Sequence, residues 1–598
     1  MLGANKSSSK QWASGGSTGS LTAAHLQKWI DSLRLRLLTI GRHRISWPSI
    51  FAPHLLPGLA VFIGVILVAG PFVATIVRSL IVAQAGSLSL QNFTAILSDH
   101  RFRSAVFNTV MTGTGATVLS CIFGLGLAWI VARTDTPGRK WLDTLNVVPF
   151  FLSPYVGAMS WISLAAPNEG LLNHLVSRYL SGPDDFLNIY SLWGVTWVLS
   201  LFYTPYVYLL VIGPMRRLDP ALEDAARVHG AGLWLTTRYI TAPLMMPALL
   251  SGALIVFVTS SGLFDVPLAL ASPRAIQTVP TRVFTLVQYP SDYGTAAAIG
   301  VLVMVITVMF SILQRVYMRR RSFVTVSGKG YRPRLVRLRK WRIAALAFEL
   351  FYIVSGVVLP MIALILVSVS RLWTGWPDVT QLTFGNYDEI LFHNDLARRA
   401  ITNSLIVAVL GATIGVVLSF LQSYYLHRGN RKFQSILDAI LSLPLGIPGI
   451  ILGLGVLILL IRTPLYSTLW IILLAYVARF FPFSMRGISA MLLSINSELE
   501  ESARVSGATW LQSMTAVLLP LVKPGLTAAW LMLFVIFIRE LGSTILLYAQ
   551  GTETISVAMI ALGERDFALV ATLAMVQAML LGAAFLLSRW THSSFVED

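Results

Sequence analysis

The sequence predicts an all-α polytopic membrane protein of about twelve transmembrane helices, arranged as two tandem six-helix repeats. Three observations lead there. Of 598 residues, 55% are hydrophobic and 12% charged, with a mean hydropathy of +0.72, a balance that a soluble domain does not have. The apolar residues gather into runs of about 20, the length that crosses hydrocarbon. One polar stretch between such runs occurs twice.

The first fifty residues, 1–50, are polar and basic, and no apolar core of a signal peptide follows their basic start. They read as a cytoplasmic extension, disordered to about Ser20, whose segment 21–45 is either a basic amphipathic helix on the membrane face or a solvated tail. Spans are then expected over 55–82, 105–131, 142–166, 192–213, 244–271 and 295–318 in the first half. Their second-half counterparts are 343–369, 401–426, 436–461, 465–485, 524–548 and 568–587.

A net charge of +18 sits in alternate connections. The N-terminal segment, 133–140, the linker 319–342 and 427–432 are basic. The opposite connections carry Glu169, Asp184 and Asp185, then Asp378, Asp388, Glu389 and Asp395, then Glu553, Glu564 and Asp566. Positive charge stays inside, so both termini are expected in the cytoplasm of a bacterial inner-membrane protein. The acid-free linker can lie on anionic lipid headgroups; with no aromatic platform beside it, nucleic-acid binding is not expected. Cys121 lies alone in an apolar run, and no Cys/His cluster has metal-ligand spacing, so metal ligands stay unassigned.

Residues 219–252 return at 496–529, offset by 277 throughout, with eleven of 34 positions identical. Asp219 can cap a helix whose first residue is Pro220, and Asn496 stands in the same register. Gly230 and Gly507 follow where a left-handed residue would end that short helix. A second helix then runs towards Pro243 or Pro520. Acids in the first turn suit the helix dipole, and Ala225 with Ala226 offer a small-residue surface. Outside this stretch, Asn108 and Thr109 answer Asn403 and Ser404, and Pro149 answers Pro444, at offset 295. The fall to 277 places about eighteen extra residues in the first half, within the outer connection 168–190.

These two stretches resemble the EAA loops of permease subunits of binding-protein-dependent ABC importers. Asp224, Ala225 and Ala226 stand at Glu-Ala-Ala in the first copy, followed by Gly230, Ile240 and Pro243. Glu501, Ser502 and Ala503 do so in the second, followed by Gly507, Val517, Leu519 and Pro520. The resemblance implies a first permease domain, 51–318, with its loop at 219–243, and a second, 343–598, with its loop at 496–520. It implies that Glu223, Asp224, Ala225, Ala226, Gly230 and Pro243, with Glu500, Glu501, Ser502, Ala503, Gly507 and Pro520, couple the chain to cytoplasmic ATPase subunits, two copies being expected. It also implies a periplasmic or extracellular substrate-binding protein. The chain should carry no cofactor, ATP being bound by the partner subunits. Its nearest approach to a phosphate-binding run, SGKG at Ser327, lacks the required spacing.

Two parallel repeats place a path between the halves. Pro149, Pro154, Pro444, Pro448, Gly449, Gly453 and Gly455 should kink the third and ninth spans beside it. Asp265, Arg539 and Glu540, ionisable groups inside apolar runs, are candidates for contact with the path. The phrases SPYVGAMSWISLAAPNEGLLN, SGLFDVPLAL and PLGIPGIILGLG resemble the iron(III) importer subfamily, so iron(III) carried by alternating access is the expected function. Thiamine, polyamines, 2-aminophosphonate and oxyanions are alternative cargoes. An ion-coupled carrier, or a membrane enzyme or scaffold, is the alternative in kind; no catalytic constellation supports the last.

Overall fold

The computed structural model describes residues 52–81, 88–183, 185–320, 335–428, 433–563 and 566–594. The N-terminal extension, linker residues 321–334, and Asp184 and Glu564 lie outside the described residues. Six spans in each half are found. The first half has Leu55–Leu80, His100–Arg133, a bent pair Arg139–Phe151 and Pro154–Ala165, then Leu192–Arg217, Trp234–Gly262 and Tyr293–Phe310. The second has Trp341–Ser368, Asp395–Arg428, a bent pair Gln434–Gly446 and Gly449–Leu460, then Leu469–Ser494, Trp510–Ile538 and Phe567–Leu587.

The expected kinks are full breaks of 98° and 110°. Pro154 and Pro448 at the breaks have no N–H to continue the bonding of the preceding segment, and each half of a pair restarts as its own helix. Each pair nevertheless crosses from one end of the bundle to the other. Asp143, early in the third span, bonds Arg216 at the far end of the fourth (2.7 Å), whereas Ala165, at its close, takes the amide of Ile189 just before the fourth begins (3.1 Å). Asp438, the counterpart of Asp143, bonds Arg486 of the tenth span likewise (3.0 Å).

The fifth and eleventh spans depart from expectation at both ends. They begin at Trp234 and Trp510, before the motif prolines, and stop at Gly262 and Ile538. Pro243 and Pro520 therefore lie within the spans, not at their starts. The helix accommodates each ring by widening one turn, over Thr237–Thr241 and Met514–Leu518, because the proline would otherwise strike the carbonyl four residues back. A third such turn, Val354–Val358, precedes Pro360 in the seventh span.

The halves exchange their first spans. The first span packs on the second half, where Gln422 Nε2 donates to Ala60 O (2.9 Å) and Gly455 faces the main chain of Pro71. The seventh packs on the first half: Tyr352 donates to Leu201 O (3.0 Å), and Asn146 donates to Glu349 (3.0 Å). Where the chain enters the seventh span, the amide of Val336 bonds Arg133 O (2.7 Å). Arg342 pairs with Asp135 there, and this bond with the Leu338 amide holds the Asp135 carboxyl below the usual carboxylate range.

The sequence pairs at offset 295 do equivalent work. Asn108 donates to Gln277 O (2.8 Å) and Thr109 accepts from the Val279 amide (2.8 Å). Asn403 donates to Gly551 O and Glu553 O (both 3.0 Å), and Ser404 accepts from the Ile555 amide (2.8 Å). Each pair ties the start of a short helix, Val279–Val287 or Ile555–Gly563, to the second or the eighth span. The extra residues of the first half form the helix Leu171–Leu180. It is fixed by Asn173 to Ala166 O (2.8 Å) and Leu187 O (2.9 Å) and reaches the other half, where Arg178 lies 5.3 Å from the Trp376 ring.

A methyl group at Gly455 would fall 2.6 Å from Pro71 O, whereas one at Gly487 would meet nothing within 4 Å. Gly455→Ala should therefore cost about 1–3 kcal/mol by overpacking the exchanged span. Melting of the purified protein in detergent should fall for Gly455→Ala and stay put for Gly487→Ala.

Candidate functional site

Two places carry the residues singled out above. The first is the pair of loops at 219–243 and 496–520. Helix Pro220–Val228 opens with Asp219 accepting the Ala221 amide (2.9 Å). Helix Glu498–Val505 opens with Asn496 accepting the Glu498 amide (3.2 Å). The relation is the same two-residue reach, although the second helix starts one residue later without a proline. Gly230 and Gly507 adopt φ of +81° and +90°. Beyond them the amides of Ala231 and Ala508 turn back to Ala226 O (2.9 Å) and Ala503 O (3.0 Å), the bond pattern that closes a helix on a left-handed residue.

The loops are not uniformly available to a partner. Asp224, Ala225, Ala226, Glu501 and Ser502 have at least partial access to solvent, as do Pro243 and Pro520. Glu500 and Ala503 are buried; Glu500, 6% exposed, pairs with Arg428 (3.1 Å) and accepts from the Tyr424 hydroxyl (3.2 Å). Glu500 is thus an anchor of the loop and not part of its outer surface, a correction to its expected place. The side chain of Glu223 lies outside the described residues. What the loops do offer is apolar: Val228 and Val505 are 85% and 90% exposed, beside Leu222, Trp234 and Leu235 in one loop and Leu499 and Leu511 in the other. Exposed apolar side chains of this kind fit either a protein or a lipid surface.

The second place is a cavity of about 120 Å³ between the halves. Its wall takes Pro154 and Pro448 from the two breaks, Tyr203 and Tyr206 from the fourth span, and Arg479 from the tenth. Asp265, Arg539 and Glu540 line it together. The fifth and eleventh spans end just before them: Asp265 opens a separate short helix, Asp265–Leu270, and Arg539 and Glu540 follow the last turn of the eleventh span. The chain leaves the helix at Leu263, with extended backbone (φ −75°, ψ 134°).

Arg539 and Glu540 look in different directions. Arg539 donates to Phe150 O (2.5 Å) and Leu152 O (3.4 Å) at the break of the third span. Glu540 pairs with Arg479 and accepts from the Ser543 amide (2.9 Å) and hydroxyl (3.1 Å). Asp265 is 5% exposed, and among the described residues its Oδ1 has no hydrogen-bond partner.

Comparison with known proteins decides the family. The model for the binding-protein-dependent transport system inner membrane component matches twice, over residues 120–323 and 415–591. The chain belongs to this family. It is the permease of an ABC importer, a multi-pass inner-membrane transport component with no indicated enzyme activity, and members of the family work with ATPase subunits and a substrate-binding protein. The permease is 24% identical over 486 residues to the Fe(3+)-transport system permease protein FbpB 2 of Haemophilus influenzae, covering 80% of this chain and 88% of that one. It is 24% identical over 457 residues to the ferric transport system permease protein FbpB of Actinobacillus pleuropneumoniae, covering 75% of this chain and 65% of that one. A sulfate transport system permease protein of Escherichia coli, CysT, matches 44% of this chain over 94% of its own length, at 26% identity. A relative of one-repeat length fits the permease having two.

Sequence reasoning missed Arg479, Tyr424 and Arg428. Each sits in a long apolar run or at its end, and its partner is far along the chain. Asp143 and Asp438, however, repeat at offset 295, a signal that could have found them.

Removing the Arg479 guanidinium would leave Glu540, about a tenth exposed on the cavity wall, without its counter-charge and held only by Ser543, a loss that for a fully buried pair is about 3–5 kcal/mol and here is smaller. Arg479→Ala should lower the melting temperature of the purified permease. The double variant Arg479→Leu plus Glu540→Leu should recover most of the loss.

Proposed function

We propose that this permease carries iron(III), delivered by a substrate-binding protein, through the cavity between its halves. Similarity along most of the chain to ferric and Fe(3+) permeases carries this reading. The cavity wall is consistent with it, since Asp265, Glu540, Tyr203, Tyr206 and Thr259 offer the oxygen atoms that hard cations take.

The loops at 219–243 and 496–520 are the contacts for two separate ATPase subunits, which supply ATP binding and hydrolysis. Their apolar faces, Leu222 and Val228 in one and Leu499 and Val505 in the other, are repeated at the same offset, as two copies of one partner require. Both loops, the basic connection 133–140 and the entry to the seventh span lie at one end of the bundle, and positive charge assigns that end, with both termini, to the cytoplasm. When ATP draws the two ATPase subunits together, the short helices move with them and the bundle turns from inward-facing to outward-facing. Because the halves exchange their first spans, one chain supplies both sides of the path, and no second permease copy is needed.

A side chain at Gly230 or Gly507 finds open space but a left-handed backbone, which costs about 1–2 kcal/mol for other residues. A glutamate there adds charge on the ATPase side. In iron-starved cells that lack this gene and other iron routes, wild type should restore uptake of labelled ferric iron, and Gly230→Glu plus Gly507→Glu should restore none while still inserting in the membrane. Normal uptake by the double variant would remove the loops from coupling. No iron uptake with wild type would remove iron as cargo and leave thiamine, polyamines, 2-aminophosphonate and oxyanions to be tried.

A further inference from the structure

The offset of 277 that relates the two loops also relates the two walls of the cavity. Leu192 and Leu469 open the fourth and tenth spans, Pro205 and Pro482 lie inside them, and the widened turns Thr237–Thr241 and Met514–Leu518 coincide under it. The walls can therefore be compared residue by residue, and they are unlike. Tyr203 and Tyr206 of the first half are answered by Phe480 and Phe483. Thr259 is answered by Ile536, and Asp265 by Gly542. Each change takes a side-chain oxygen away from the second wall. In the reverse direction, Arg479, Arg539 and Glu540 stand where the first half has Phe202, Gly262 and Leu263. All of these except Gly542 line the cavity.

The charged groups of the second wall are engaged with the protein. Arg539 is turned to the carbonyls of Phe150 and Leu152 at the break of the third span. Arg479 pairs with Glu540, and the Ser543 hydroxyl accepts from Arg479 and donates to Glu540. On the first wall Asp265 is 5% exposed, and its Oδ1 is unbonded among the described residues. A buried carboxylate oxygen without a partner costs stability, and an ionisable group kept in an apolar setting at that cost points to a pathway. A wall of oxygen atoms with one unbonded carboxylate oxygen suits a hard cation. An oxyanion would need positive charge, but that of Arg479 is met by Glu540 and Arg539 is turned to the break.

We infer that the cation of the cargo is held by the first wall, with Asp265 as its charged ligand and Tyr203, Tyr206 and Thr259 as oxygen donors on the same side, while Glu540 stays with Arg479. The permease is then symmetric in fold and one-sided in chemistry: the first half carries the cargo and the second supports the breaks that frame the passage. This rests on the reading of the cavity as the path of the cargo.

Terbium(III), a hard trivalent cation whose luminescence is excited through nearby tyrosine, is the probe. The full chain with its ATPase subunits would be titrated with it in nanodiscs of phosphatidylcholine. Asp265→Asn keeps the size of the side chain and removes its charge, so it should weaken the saturable tyrosine-excited signal by at least about 10–100-fold, the range that loss of even an outer contact to a metal produces. Glu540→Gln should weaken it less. Because Asp265 Oδ1 has no bond to lose, Asp265→Asn should melt no lower than wild type, which a structural role for the carboxylate would not give. No saturable signal in wild type, equal binding by Asp265→Asn, or an equal or greater loss with Glu540→Gln would each overturn the proposal. So would an Asp265→Asn protein that melts lower or fails to fold. Iron as cargo is judged separately by uptake. Wild type that binds terbium through Asp265 and imports no iron loses the iron reading and keeps the cation wall; wild type that imports iron without this dependence keeps the iron reading and loses the wall.

Discussion

The guanidinium of Arg539 closes two main-chain carbonyls that the break in the third span leaves open, and the centre of the permease depends on that grip. A carbonyl without a partner in hydrocarbon costs several kcal/mol, so irregular backbone at that depth persists only where protein or water satisfies it. Arg539 comes from the second half and the break from the first. At the ninth span the arrangement is different: Arg479 lies so close to Gly449 that a methyl group there would fall 1.9 Å from its nitrogen, and it is held by Glu540. Both arginines belong to the second half, so the two breaks that frame the cavity are governed from one side.

The exchange of first spans follows from the same economy of surface. Each half is covered on one flank by a first span that belongs to the other half. Gln422 to Ala60 on one flank and Tyr352 to Leu201 on the other are single buried bonds that fix the depth of the covering helix. Association in lipid gains little from hydrophobicity alone, so close backbone approach, as at Gly455, and such bonds must hold it.

Much of this was legible in sequence where the determinants are local. The repeat, the left-handed glycines and the Asp219 cap each depend on a few neighbouring residues, and each appears where its pattern places it; Asn496 stands one residue before the flanking residue Ser497 instead of capping the helix itself. The early ends of the fifth and eleventh spans were not legible, because residues 263–271 and 539–548 are apolar enough to continue a helix; the chain instead breaks at Leu263 and Arg539 and restarts as the short helices Asp265–Leu270 and Thr544–Leu546, which hydropathy does not encode. Nor does hydropathy say which half a span will cover. Glu500 looked like its neighbour Glu501, but successive residues on a helix point about 100° apart, so one of two adjacent acids faces the bundle. The prolines held a signal that was read too simply: one widened turn ends two residues before Pro243, Pro360 and Pro520 alike.

On the reading of the loops as ATPase contacts, transmission to the spans needs contacts that do not slip. Exposed ion pairs such as Arg216 with Asp143 and Arg486 with Asp438, each about a third to a half open to solvent, contribute at most about 1 kcal/mol and can exchange for water. Arg428 with Glu500 is mostly shielded, and its breakage would strand a buried charge, so it ties the short helix to the eighth span more firmly than those pairs do. The widened turn over Met514–Leu518 lies on the other side of the same loop, where a helix with longer hydrogen-bonded rings bends more readily. The second loop is therefore stiff towards the eighth span and compliant towards the eleventh.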